Sequence, residues 1–163
     1  LIGNGGSAAN ADHISGDYTK TFLMLGLKLN IISASESNCY LTATSNDIDF
    51  SEVYSTMVGI KIVPNDLIIY LSGSGNSINL VKCAQKTKNY NIKQAGVLGY
   101  SGGRLKDLVD ISIHVKINDM EISEDVQLII FHYMKQKFCN EYSDNKNQVS
   151  NKYDKRVIED IVS

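Results

Sequence analysis

Four side chains suited to proton transfer or metal binding fall into two pairs. His13 and Asp17 stand four residues apart where the apolar spacing predicts a helix over 7–22, so they lie one above the other on one face. Glu124 and His132 stand eight residues apart in a second predicted helix over 122–140, a little over two turns and roughly on one side. Two imidazoles and two carboxylates brought together would bind a divalent metal of the zinc type or share proton-transfer work. Each pair also fits a plainer role: a surface i,i+4 pair for His13 and Asp17, a hydrogen-bonded core histidine for His132. His114, set among Ile111, Ile113 and Val115, reads as structural.

Two Gly/Ser-rich turns supply a different chemistry. Gly3-Asn4-Gly5-Gly6-Ser7 and Ser72-Gly73-Ser74-Gly75-Asn76-Ser77 each follow an apolar run of strand type and open a segment of helical periodicity. At the carboxyl end of a parallel strand, such a turn aims backbone N–H groups and a helix N-terminus at an anion, with serine hydroxyls as further donors. One turn alone would serve as well to cap a helix, with Ser7 or Ser77 as N-cap. Two in corresponding positions favour a bound phosphate. Neither carries a Walker lysine or G-x-G-x-x-G, so a sugar phosphate fits at least as well as a nucleotide.

The elements that must hold these residues alternate. Strands are expected at 1–2, 28–33, 66–72, 94–100 and 111–117, with helices at 7–22, 37–44, 50–62, 77–90, 103–109 and 122–140. This alternation predicts an α/β fold, a doubly wound five-stranded parallel sheet flanked by helices. Ile68-Ile69-Tyr70-Leu71 shows no polar alternation, as a central strand covered on both faces would. In the last helix, Ile122, Val126, Ile129, Ile130, Tyr133, Met134 and Phe138 mark an apolar face. The domain is expected over 1–140, followed by a polar linker and short helix over 141–163.

Composition narrows the classes. The 163 residues carry 16 Lys+Arg against 18 Asp+Glu, a net charge of −2, with 43% apolar residues. That excludes a disordered chain, and the mild acidity speaks against a nucleic-acid partner. The longest apolar runs fall far below the ~20 residues of a membrane span, and no secretory leader pattern is visible. Three cysteines without C-x-x-C spacing read as reduced thiols, and the expected location is cytoplasmic.

Taken in order, the first turn with Ala8, Ala9 and His13, then Ser45-Asn46-Asp47, the second turn, Gly102-Gly103-Arg104-Leu105, and Glu124-Asp125-Val126-Gln127-Leu128 leading to His132 resemble the sugar isomerase (SIS) domain family. Within it the likeness is to the phosphoheptose isomerases, and it spans residues 1 to about 140. The resemblance implies a flavodoxin-like fold and an aldose-ketose isomerisation of sedoheptulose 7-phosphate to D-glycero-D-manno-heptose 7-phosphate through an enediol, for bacterial surface polysaccharide. It implies a phosphate held by Ser72, Gly73, Ser74 and Ser77 with Asn4, Gly5 and Ser7, and sugar hydroxyls met by Asn46, Asp47 and Glu124. It further implies zinc, one per subunit, on His13, Asp17, Glu124 and His132, with His132 as general acid and Asp17 or Glu124 as base. Asp17 falls where the family usually has Glu, and Glu124 where it usually has Gln. A homotetramer is implied, and so is a helical segment ahead of the first turn, where this chain has only the strand stub of Leu1 and Ile2. The alternative is a non-catalytic SIS module that binds a sugar phosphate or the replication initiator protein.

Overall fold

The computed structural model describes residues 1–143. Strands β1 (Leu67–Ser72), β2 (Lys93–Leu98) and β3 (Ile111–His114) run parallel in that order, with Leu67 opposite Lys93 and Ala95 opposite Ile111. The helices are α1 (Gly5–Met24), α2 (Asn38–Asp47), α3 (Val53–Lys61), α4 (Ile78–Thr87) and α5 (Met120–Ser143). Short 3-10 turns fill Phe50–Glu52, Lys88–Tyr90 and Arg104–Asp107.

The run at 68–71 is covered on both faces, as its composition suggests, while β2 is the middle strand of the ladder and β1 has only the Ile2 bridge on its other side. Ile68 and Tyr70 point to one face, where they pack with Val53, Tyr54, Leu80 and Val81 of the α3 and α4 side. Leu71 points to the other, against Ala11 and Ile14 of α1, Val97 of β2 and Phe131 of α5. Each fully buried aliphatic side chain of this kind contributes about 1.5–3 kcal/mol of transfer free energy. Helices cover both faces, as the alternation predicts.

Among the described residues the sheet has three strands rather than the five expected. Ile2 forms a single parallel bridge to Tyr70, donating to the Ile69 carbonyl at 2.9 Å and accepting from Leu71 N–H at 2.8 Å. Residues 28–33 form no ladder strand. Leu1 lies alongside them, its N-terminal ammonium donating to the Ile32 carbonyl at 2.7 Å and its carbonyl accepting from Ala34 N–H at 2.9 Å, while Leu29 and Ile32 stay exposed. Two bonds to a single residue do not make a ladder. The expected helix at 103–109 is reduced to the 3-10 turn Arg104–Asp107, because Gly102 and Gly103 both hold positive φ.

The last helix also differs from its pattern. The residues it buries are Ser123, Gln127 and Phe131, one every four, while Ile122, Ile129, Tyr133, Met134 and Phe138 are exposed. On the inward face Gln127 bonds to Asn10 and Ser7 of α1, and the Ser123 hydroxyl donates to the Asp119 carbonyl. Helix α5 runs three residues past the expected boundary at 140, and the short helix expected near the chain end lies outside the described residues.

Candidate active site

The two Gly/Ser turns meet at the carboxyl ends of Ile2 and β1. Asn4, Gly5 and Ser7 face Ser72, Gly73, Ser74 and Ser77 across a cleft of about 180 Å³, closed by Leu71, Leu80, Met120 and Glu124. Helices α1 and α4 both begin there, with no acidic residue of their own in the first turn, so two positive helix ends converge on the cleft. Asn4 is the N-cap of α1, and Ser7 lies one turn inside it rather than capping. Ser77 is the N-cap of α4, and its side chain makes no capping bond.

Backbone geometry holds the second turn. Gly75 adopts φ +66°, and a side chain there would run into the Gly102 carbonyl. The Gly75 carbonyl accepts from Leu105 N–H, the Asn76 carboxamide oxygen accepts from Arg104 N–H, and Ser72 Oγ accepts from Gly75 N–H, all at 3.0 Å. The first turn is fastened by side chains. Asn4 and the buried Asn79 exchange two amide hydrogen bonds of 2.9 Å, and Tyr54 donates its hydroxyl to the Gly3 carbonyl at 2.5 Å. Burial pushes the Tyr54 phenol up to about 12, so it remains a donor.

Glu124 enters the same cleft from α5. Its Oε1 accepts from Ser7 N–H at 3.0 Å and lies 3.4 Å from Ser7 Oγ. Gly6 leaves room for it, since a Cβ there would collide with the Glu124 carboxylate. Asn10 and Gln127 complete the seam: Asn10 donates to the Glu124 carbonyl at 2.9 Å and to Gln127 Oε1 at 3.0 Å, and Gln127 donates to Ser7 Oγ at 3.2 Å.

Further along both helices the remaining candidates meet. His13 Nε2 and His132 Nε2 are 3.1 Å apart, and Asp17 Oδ2 lies 3.9 Å from the first and 3.7 Å from the second. Tyr18, one residue beyond Asp17, ties α1 to α5 by donating to the Phe131 carbonyl at 2.8 Å. Lys135, one turn after His132, forms a hydrogen-bonded ion pair with Asp17 Oδ2, and Lys20 stands 3.7 Å from Oδ1. Partial burial works against ionisation of Asp17. The hydrogen bond and charge of Lys135, then Lys20 and His13, outweigh it and hold the carboxyl below its ordinary value.

This donor set fits a divalent ion. Ligand atoms about 2 Å from one tetrahedral zinc stand about 3.3 Å apart, close to the separations of His13, Asp17 and His132. The Glu124 carboxylate rests on the start of α1, apart from the group of His13, Asp17 and His132. Asn46 and Asp47 are exposed at the end of α2, where the Asn46 amide donates to Asp47 at 2.8 Å, and they do not line the cleft. Tyr54, Asn79, Asn10 and Lys135 carry no motif, and Gln127 lies inside one without a role assigned to it. Only the polar character of Gln127 and Asn10 inside amphipathic helices hints at a buried network.

The SIS domain family model matches residues 1–99. The chain belongs to the SIS domain family. A phosphoheptose isomerase of Helicobacter pylori strain Shi470 is 32% identical over 134 residues, which are 82% of this chain and 70% of that protein. One of Nitratiruptor sp. is 34% identical over 82% of this chain and 72% of its own. The solved phosphoheptose isomerase of Francisella tularensis superposes with a TM-score of 0.74 at 23% identity, over 90% of this chain and 75% of that one, and so shares the fold. Among the described residues no helix is long and apolar enough to cross a membrane.

Proposed function

We propose that this protein is a phosphoheptose isomerase, interconverting sedoheptulose 7-phosphate and D-glycero-D-manno-heptose 7-phosphate in the cytoplasm for bacterial surface polysaccharide. The observation that carries this reading is the 3.1 Å pair of imidazoles, contributed by two helices that also wall a cleft with two helix N-termini. The phosphate belongs against Ser72, Gly73, Ser74, Ser77 and the start of α4. Six residues separate Ser7 from His13, roughly 9 Å along α1, on the order of an extended seven-carbon phosphate ester. A long sugar anchored by its phosphate would therefore present its carbonyl carbons toward the imidazoles.

Isomerisation needs a base to take the proton beside the carbonyl and an acid to serve the oxygen. Asp17, whose Oδ2 stands 3.9 and 3.7 Å from the two imidazoles where the carbonyl carbons would lie, takes the role of base, with His132 as acid. Glu124, on the start of α1 at the phosphate end, orients the first turn. His13, Asp17 and His132 would hold one zinc ion, which supplies Lewis-acid stabilisation of the developing oxyanion when bound. The exposed apolar stripe of Ile122, Ile129 and Tyr133 supports burial of α5 between subunits of a homotetramer.

Incubating the full chain with sedoheptulose 7-phosphate and zinc, and following the aldose product by NMR, tests the reading. Turnover lost in His132→Ala is expected. No turnover alongside intact phosphate binding would leave a sugar-phosphate-binding module instead.

A further inference from the structure

We propose that Lys135 sets how tightly this site takes a divalent cation, by holding the same Asp17 oxygen that the cation would need. The inference rests on the reading of His13, Asp17 and His132 as a zinc site. Asp17 Oδ2 is the carboxylate oxygen nearest both imidazoles, at 3.9 and 3.7 Å. It is also the oxygen on which Lys135 Nζ sits. The other oxygen, Oδ1, faces Lys20, whose side chain is 68% exposed against 21% for Lys135. Lys20 is thus a solvated neighbour, whereas Lys135 is part of the cluster.

Both cations want one oxygen. An arriving divalent ion must either displace the ammonium or tolerate a like charge a few ångströms away with little water between, and either weakens its binding. Lys135 has a flexible stem and three donors, so it can swing away from Asp17 without disturbing α5. The ammonium neutralises Asp17 in the absence of a metal and competes with the metal when one is offered. Zinc occupancy is therefore graded by this residue rather than fixed by the two histidines alone.

Zinc affinity of the purified full chain is measured by competition with a chromophoric chelator, and the zinc-induced rise in melting temperature is read in parallel. Lys135→Met should bind zinc about tenfold or more tightly than the wild type and show the larger rise in Tm. Lys135→Arg, which keeps the charge, should stay near the wild type. Lys135→Gln, which retains a hydrogen bond to Asp17 without the charge, should fall between and also guards against a folding defect particular to Met. Adding His132→Ala to Lys135→Met should abolish the gain, since the tightened site must be this one. Equal or weaker zinc binding by both neutral variants, with the wild type binding normally, overturns the role of Lys135 and leaves the metal site standing. Zinc bound by none of them overturns the metal reading and this inference together.

Discussion

The two ends of the site are made differently. At the cleft, the Ser72-to-Ser77 turn is shaped by backbone: Gly75 at φ +66°, and its contacts with the Gly102-to-Leu105 segment. Ser72, whose hydroxyl accepts from Gly75 N–H, is almost fully excluded from water. At the other end, His13, His132 and Asp17 meet only as side chains from two helices, and both histidines stay about half exposed. A backbone cradle is rigid and indifferent to most substitutions outside its glycines. A side-chain cluster is easily retuned by one neighbour, and Lys135 is such a neighbour. Binding and chemistry should therefore separate under mutation.

The sharpest separation is expected from His132→Ala. Loss of a positioned acid should lower kcat by ~1,000-fold, while inorganic phosphate, measured as a competitive ligand by calorimetry, binds within a few-fold of the wild type. A large loss of phosphate affinity would merge the two ends into one unit. Asp17→Asn should lower kcat by ~100-fold and leave phosphate affinity unchanged, since Asp17 stands with the imidazoles and not in the cleft; steady-state kinetics with phosphate inhibition decides it. Wild-type turnover would return the role of base to Glu124.

Gly75→Ala tests the opposite end. Forcing a side chain into left-handed backbone against the Gly102 carbonyl should cost about 1–3 kcal/mol of stability or phosphate binding. It should raise KM and leave zinc affinity unmoved. The smallest effect is in acid. Asp17 titrates below its ordinary value in the fold, so its ion pair contributes stability fully present above the unfolded carboxyl pKa and lost as pH falls through the folded one. Urea midpoints across the acid range should fall less steeply in Lys135→Met than in the wild type.

How much of this was legible beforehand differs by level. The i,i+4 spacing of His13 and Asp17 and the two Gly/Ser turns are local features, and they stand on the helix and at the strand ends where their spacing puts them. Residues 28–33 have strand composition yet form no strand, because pairing depends on the neighbour, and two bonds to the single residue Leu1 do not make a ladder. The apolar stripe of α5 marks a face but not its direction. The structure turns Ser123, Gln127 and Phe131 inward, where Asn10 and Ser7 of α1 satisfy Gln127 and the Asp119 carbonyl satisfies the Ser123 hydroxyl.

The sequence by itself determined the chemistry available: two imidazoles, two carboxylates, two Gly/Ser turns at strand ends, and the alternation that makes a doubly wound sheet. Tertiary structure decided which of them act together. It brought His13 and His132, 119 residues apart in the chain, to 3.1 Å. It sent Glu124 to the start of α1 rather than to the histidines, where Ser7 N–H offers a hydrogen bond that a carboxylate satisfies well. It set Lys135 on Asp17 across two helices. Periodicity reports faces within one element, whereas the meeting of two elements depends on how their buried side chains pack, and no spacing along the chain encodes that.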